Sequence, residues 1–231
     1  MEKKHFSKKG LKTAVIFGST GLTGSALLKQ LSESPAYKEI VCINRKLQKI
    51  DLPLCKEVID DFSDLDVLAQ KVKSNEVYCC LGTTIKKAGS KDNFTKVDLD
   101  LPVAIANACK KNGVQHFLVV SSVGANAKAG NFYLRTKGLM EQAVLNLSIP
   151  QTSIVRPSML LGERNEVRVG EGIGKMVMKI VGTLMLGKLK KYKAIHVDDV
   201  AKALIIIANT SPTKQNIFES NELQEIVDAE K

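Results

Sequence analysis

Short apolar runs alternate with amphipathic stretches along most of the chain. TAVIF (13–17) leads into a helical pattern at Leu22–Ser32, and IVCIN (40–44) is followed by a loop. EVI at Glu57–Ile59 precedes a short helical pattern near Leu65–Val72, and VYCCL (77–81) precedes a long one at about Phe94–Lys111. HFLVVSS (116–122) leads to a helix around Tyr133–Leu147. TSIVRP (152–157) leads to a less regular region and then a helix at Val197–Ala208. Unbroken apolar runs of this length read as strands buried on both faces. Strands alternating with helices need right-handed crossovers, so they lie parallel in one sheet with helices on either side. The pattern predicts an α/β fold with a doubly wound parallel sheet. It reads as a single domain over 1–231, with a flexible basic tail at 1–11 and a small C-terminal substrate lobe at 157–195.

The first strand ends in glycines spaced G-x-x-G-x-x-G, at Gly18, Gly21 and Gly24. The first lets the chain turn off the strand, the second lets backbone approach a pyrophosphate, and the third lets the helix pack close to the sheet. Glycine turns between strands and helices are common. The strand before this one and the helix after it turn the reading toward a bound dinucleotide and a Rossmann-like NAD(P)-binding fold. Folds specific for NAD usually carry an acid after the second strand, for the ribose 2′-hydroxyl. Here Asn44 stands in that place, followed by Arg45 and Lys46. An acid repels a 2′-phosphate and a guanidinium binds one, so NADP is expected over NAD. The alternative is an ordinary solvated Arg–Lys pair.

Composition narrows the class. A chain of 231 residues with 44% hydrophobic content can bury one sizeable core. No run reaches the length of a membrane span. MEKKHFSKKGLK lacks the apolar stretch of a secretory signal. Five cysteines without C-x-x-C spacing read as reduced core residues, which predicts a cytoplasmic protein. Three histidines make a histidine-rich metal site unexpected. The net charge of +10 is concentrated in the lysine-rich tail and at Lys188, Lys190, Lys191 and Lys193. No aromatic residues interleave with either cluster, so nucleic-acid binding is not expected.

The sharper chemistry lies in SSVGANAKAGNFYLRTK. Tyr133 and Lys137 share one face of a predicted helix. Ser121 and Ser122 close the strand before it. Carbonyl reduction by hydride needs a proton donor for the developing alkoxide. A phenol beside an ammonium supplies one, and a serine hydroxyl can hold the substrate oxygen. Y-x-x-x-K alone is a common spacing; its position after the fifth strand and a serine pair is what singles it out. Asp61, beside Phe62, either accepts from an adenine amino group or belongs to a plain strand-end turn. Leu81, Gly82, Thr83 and Thr84 are small or hydroxylated where backbone must pass close to a cofactor ribose.

These motifs resemble the atypical short-chain dehydrogenase/reductases, particularly the subgroup of Tat-interacting oxidoreductases. The likeness rests on FGSTGLTG, NRKL, CCLGTT with KAG, Val97–Asp98, SSVGA with Tyr133–Lys137, IVRPSMLLG and IHVDDVA, spanning about residues 13–208. It implies cofactor contacts from Ser19, Thr20, Gly21, Leu22, Thr23, Arg45, Asp61, Leu81, Gly82 and Thr83, and a catalytic group of Ser122, Tyr133 and Lys137. Ser121 is the alternative hydroxyl. Many superfamily members complete a proton relay with an asparagine where this chain has Asp98. Arg156–Pro157 stands where family members seat the nicotinamide, or else Arg156 forms a structural salt bridge. Met176, Val177, Ile180, Val181 and Leu184 form an apolar stripe that reads as core cover. His196 reads as a cap or packing residue beside the helix that follows. The resemblance leaves a homodimer paired through helices open. The resulting expectation is an NADP-dependent oxidoreductase acting on a small carbonyl or alcohol. The alternative is an NADPH-sensing regulatory protein that binds another protein, a role associated with the subgroup.

Overall fold

The strand runs read from the sequence form β1 (Lys12–Phe17), β2 (Tyr37–Asn44), β3 (Cys55–Ile59), β4 (Glu76–Cys79), β5 (His116–Val120) and β6 (Gln151–Arg156). The computed structural model describes residues 11–162, 187–210 and 215–230. Two short strands, β7 (Leu160–Leu161) and β8 (Ile195–His196), pair in a ribbon of their own. A further strand, β9 (Gln215–Glu219), completes a seven-stranded sheet ordered β3-β2-β1-β4-β5-β6-β9. All six pairings in it are parallel.

Alternation along β1 divides the core between the two faces. Ala14 and Ile16 join Leu27, Leu31, Leu118 and Leu204 under α1 (Leu22–Ser32) and α7 (Val197–Asn209). Val15 and Phe17 join Ile105, Phe117 and Met140 on the other face, under α2 (Leu65–Lys71), α5 (Leu101–Lys111) and α6 (Phe132–Leu145). A strand with both faces covered must be apolar throughout, which is why these runs lack a polar alternation.

Between β4 and α5 the chain departs from the single helix expected from Phe94. It forms α3 (Ile85–Ala88), capped by Thr84 Oγ1 accepting from the Lys87 amide at 3.1 Å. Next comes α4 (Lys91–Thr95), capped by Ser90 Oγ accepting from the Asn93 amide at 3.1 Å. A π-helical turn at Lys96–Asp100 then runs into α5. The sequence reading also lacked β9 and α8 (Ser220–Asp228), and began β2 three residues late. The apolar stripe at Met176–Leu184, most of the tail and residues 163–186 of the expected lobe lie outside the described residues. Among the described residues no helix is long and apolar enough to cross a membrane.

β1 and β4 are neighbours from which the sheet grows outward in both directions. That is a topological switch point, and in open α/β sheets the crevice at the carboxyl ends of such strands is where ligands bind.

Candidate active site

The glycine loop leaves β1 at this switch point. Gly18 has φ +80°, and a Cβ there would sit 2.7 Å from the Cys80 carbonyl oxygen. A Cβ on Gly24 would come within 2.1 Å of the Gly18 carbonyl oxygen, so only glycine lets α1 seat against the loop. The Gly21 amide donates to the Gly18 carbonyl at 2.9 Å, and Gly21 is the N-cap of α1. No side chain caps this helix and its first turn holds no acid. Its leading amides and positive dipole end therefore fit a diphosphate.

Ser19 is buried and donates to Asn44 Oδ1 at 2.8 Å, tying the loop to the end of β2. Asn44 Nδ2 donates in turn to Glu57 at 3.2 Å, so Asn44 is a strut. The Glu57 carboxylate also accepts from the Gln48 and Ile50 amides. Arg45 and Lys46 lie exposed just beyond it. Thr20 is exposed, and Leu22 and Thr23 open onto the cavity described below. Asp61 is exposed, its Oδ1 accepting from the amide and hydroxyl of Ser63 at 2.9 and 2.6 Å. Phe62, at φ +64°, stacks at a tilt 6.1 Å from Phe17.

A cavity of about 240 Å³ continues from α1 across the ends of β4, β5 and β6. Leu81, Gly82, Thr83, Thr84, Asp98, Ser122, Tyr133 and Lys137 all line it, with Phe132, Pro157 and Met159 among its apolar walls. The Tyr133 ring packs 5.7 Å from buried Phe94. Asn131 caps α6 by accepting from the Leu134 amide at 3.1 Å. Arg135 ties the preceding loop down through the carbonyls of Ala129 and Gly130. Gly138 lets that loop touch the helix, since a Cβ there would lie 2.1 Å from the Ala127 nitrogen.

Lys137 Nζ stands 2.8 Å from Asp98 Oδ1, with both side chains almost wholly shielded from solvent, at 4% and 1% exposure. The Thr83 amide donates to the other oxygen, Oδ2, at 2.9 Å. Burial pulls the Lys137 ammonium down, but the charges of Asp98 and Tyr133 more than offset it, and the group ends above its ordinary range. The Asp98 carboxylate is thus committed to Lys137. The sequence signal was present as Val97–Asp98. Its partner lies far along the chain, and the π turn that aims it inward leaves no mark in the apolar pattern.

The two serines separate clearly. Ser121 donates to Glu141 Oε1 at 2.5 Å, whereas Ser122 Oγ lies 3.5 Å from the Val123 carbonyl, at the outer limit of a hydrogen bond. Arg156 binds Glu141 through Nε at 2.9 Å and Nη2 at 2.5 Å, and reaches Glu219 at 2.9 Å through Nη1. Arg156 does not line the cavity, although Pro157 does. Of its two sequence readings, this geometry is the structural salt bridge. Glu141, one turn beyond Lys137 on α6, was missed; its spacing from Tyr133 and Lys137 puts all three on one face. His196 Nδ1 accepts from the Asp198 amide at 3.4 Å and caps α7, the first of the two roles the sequence suggested. Among the described residues no cluster of His, Cys, Asp or Glu could hold a metal ion.

Residues 14–219 match the family described as the NAD dependent epimerase/dehydratase family. Protein FMP52, mitochondrial, of Candida albicans is 35% identical over 200 residues, 84% of this chain and 86% of that protein. Protein HTATIP2 of Rattus norvegicus is 33% identical over 198 residues, 84% of this chain and 80% of that protein. Among solved structures, MoeE5 in complex with UDP-glucose and NAD superposes with a TM-score of 0.67 at 16% identity, over 95% of this chain and 82% of that one. The Bordetella bronchiseptica enzyme WbmH in complex with NAD+ gives 0.68 at 18%, over 95% and 81%. These two establish the fold alone. The cytoplasmic expectation is corrected here, because the FMP52 relatives from several yeasts are named mitochondrial. The expectation came from unpaired cysteines, of which Cys42, Cys79 and Cys109 are buried. Free thiols speak for a reducing environment and do not name a compartment. From the match over 14–219 and the two sequence relatives, the chain belongs to the NAD dependent epimerase/dehydratase family, a nicotinamide-dependent family of the atypical short-chain dehydrogenase/reductase kind.

Proposed function

We propose that the chain is an NADP-dependent oxidoreductase that reduces a small carbonyl compound, or oxidises the matching alcohol. The observation that carries this reading is the convergence of Ser122, Tyr133 and Lys137 on one cavity that begins at the glycine loop. The loop fits a dinucleotide because Gly18 and Gly24 leave no room for a Cβ and α1 opens with uncapped amides. In this reading Gly18–Gly24, with Ser19, Thr20, Leu22 and Thr23, hold the diphosphate. Arg45 and Lys46 take the 2′-phosphate, Asp61 and Phe62 border the adenine, and Leu81, Gly82 and Thr83 follow the ribose. NADP is preferred over NAD on the two exposed cations after β2, where an acid would favour the 2′-hydroxyl.

When bound, the reduced nicotinamide supplies a hydride to the carbonyl carbon. Ser122 donates a hydrogen bond to the carbonyl oxygen and fixes its orientation. The Tyr133 hydroxyl gives its proton to that oxygen as the alcohol forms. Lys137, charged and held by Asp98, keeps Tyr133 and the ribose side of the site in place. Phe132, Pro157 and Met159 exclude water from the reacting carbon.

One observation favours a second reading, an NADPH sensor with little catalysis. The cavity of about 240 Å³ is below the usual range for ligand pockets, roughly 300–1,000 Å³. Following NADPH absorbance against a panel of aldehydes and ketones separates the two. The oxidoreductase gives a rate that saturates with at least one carbonyl, and a sensor gives no substrate-dependent rate with any.

A further inference from the structure

A buried carboxylate, Asp98, is paired with Lys137 on the wall of the cavity, and the consequences reach the proton donor. Asp98 is aimed inward by the π turn and fixed from two sides, by Lys137 Nζ at 2.8 Å and the Thr83 amide at 2.9 Å. Gly82 backbone packs close to the pair, since a Cβ there would lie 3.5 Å from Asp98 Oδ1 and 3.9 Å from Lys137 Nζ, in ordinary contact. Tyr133, Lys137 and Asp98 share the cavity wall, and Tyr133 and Lys137 act on each other electrostatically, so the phenol lies in the field of an ammonium whose counter-ion is already in contact.

We propose that Asp98 is the built-in counter-charge of Lys137, cancelling most of the ammonium's field at the Tyr133 hydroxyl and so biasing the site toward giving a proton to a carbonyl rather than taking one from an alcohol. The bias toward reduction rests on the oxidoreductase reading; the cancellation of charge does not. A lone ammonium acts on a phenol as a point charge, whereas an ammonium in contact with a carboxylate acts as a dipole, whose field dies away faster. Shielding from solvent makes the difference large, since water does not screen either charge. Among the described residues, the other titratable group lining the cavity is Cys80, after β4. Burial pushes its thiol up and leaves it neutral. Lys91 and Arg135 lie over Phe132, 5.4 and 5.9 Å from its centroid. From α4 and α6, Phe94 and Phe132 bring no charge of their own. Asp98 is therefore a positioning residue for charge: it sets what Lys137 does to Tyr133.

The test is a spectroscopic pH titration of tyrosinate absorbance in the full-length protein. The chain has four tyrosines. Burial, with Glu76 beside them, pushes Tyr37 and Tyr78 up and out of the working range. Subtracting the Tyr133→Phe trace isolates the Tyr133 step from that of Tyr192. In Asp98→Asn the Tyr133 step is expected about 1–3 pH units lower than in wild type, the size of shift a nearby unpaired opposite charge produces. In Asp98→Asn/Lys137→Met, where both charges are gone, it returns to within about half a unit of wild type. A step that stays put or rises in Asp98→Asn overturns the proposal. Should Asp98→Asn fail to fold with Lys137 left unpaired, the charge-free double variant decides: a step displaced from wild type by more than about one unit overturns it. If no carbonyl is reduced by the wild type, the reading of the function falls and the titration still judges Asp98, so the two fail separately.

Discussion

A 2′-phosphate carries charge that a 2′-hydroxyl lacks, so the side chains just past β2 govern the choice of coenzyme. Asn44 is tied to Ser19 and Glu57, leaving the exposed Arg45 and Lys46 as the groups free to meet solvent there. Hydrogen bonds to charged groups contribute about 1.5–3 kcal/mol, which corresponds to about a 10- to 100-fold change in affinity. Replacing Arg45 by Gln is expected to weaken NADPH binding by that factor in a fluorescence titration and to leave NADH binding nearly unchanged. Equal losses for both coenzymes would remove Arg45 from the 2′-phosphate. Residue by residue, the glycines, the Arg–Lys pair and Tyr133–Lys137 were readable because each depends on local spacing. The commitments of Ser121 to Glu141 and of Lys137 to Asp98 were not, because each joins positions brought together only by the fold.

Elements were readable where one period dominated. β1, β2, β4, β5 and β6 are covered on both faces and α1 follows its glycine loop at once, so apolar runs and turn residues mark them; β3, at the sheet edge, is only partly covered. The helix expected at about Phe94–Lys111 is helical throughout but starts earlier, at Lys91, and carries a π turn before α5, while the short α3 capped by Thr84 left no mark in the apolar pattern. A π turn shifts the apolar face by one residue, a displacement that sequence periodicity does not resolve. β9 and α8 escaped for a different reason. β9 is the edge strand, its Ile217 is exposed, and α8 begins on a Glu219–Glu222 capping box instead of the usual Ser or Thr. Yet β9 matters to the site, since Glu219 at its end receives Arg156 and helps anchor the strand that leads to Pro157. Arg156 is thus a brace between β6, α6 and β9.

At the scale of the molecule, chemistry and stability occupy opposite ends of the central strands. The cavity lies at the carboxyl ends of the strands. At their amino ends Glu76 joins Lys12, and accepts from Tyr37 at 2.6 Å and Tyr78 at 2.9 Å. Near it His116, buried, contacts Ser153 Oγ at 2.9 Å. Burial, helped by the Lys12 charge, lowers the His116 imidazole from 6.5 to about 4. The unfolded chain therefore binds a proton that the folded one refuses between those values, and stability falls as pH drops from about 6.5 toward 4. Urea unfolding is expected to lose about 2–3 kcal/mol of stability to this group over that window, and His116→Gln to lack that share. An unchanged slope in the variant would assign the acid sensitivity elsewhere. The central claim is that Tyr133 is the proton donor of a coenzyme-dependent carbonyl reduction. It is tested most directly by measuring NADPH binding and carbonyl-dependent NADPH oxidation side by side in the wild type and Tyr133→Phe. The account predicts unchanged NADPH affinity and turnover reduced by about 100-fold or more, the size of a general acid's contribution. Turnover at the wild-type rate in Tyr133→Phe would contradict it.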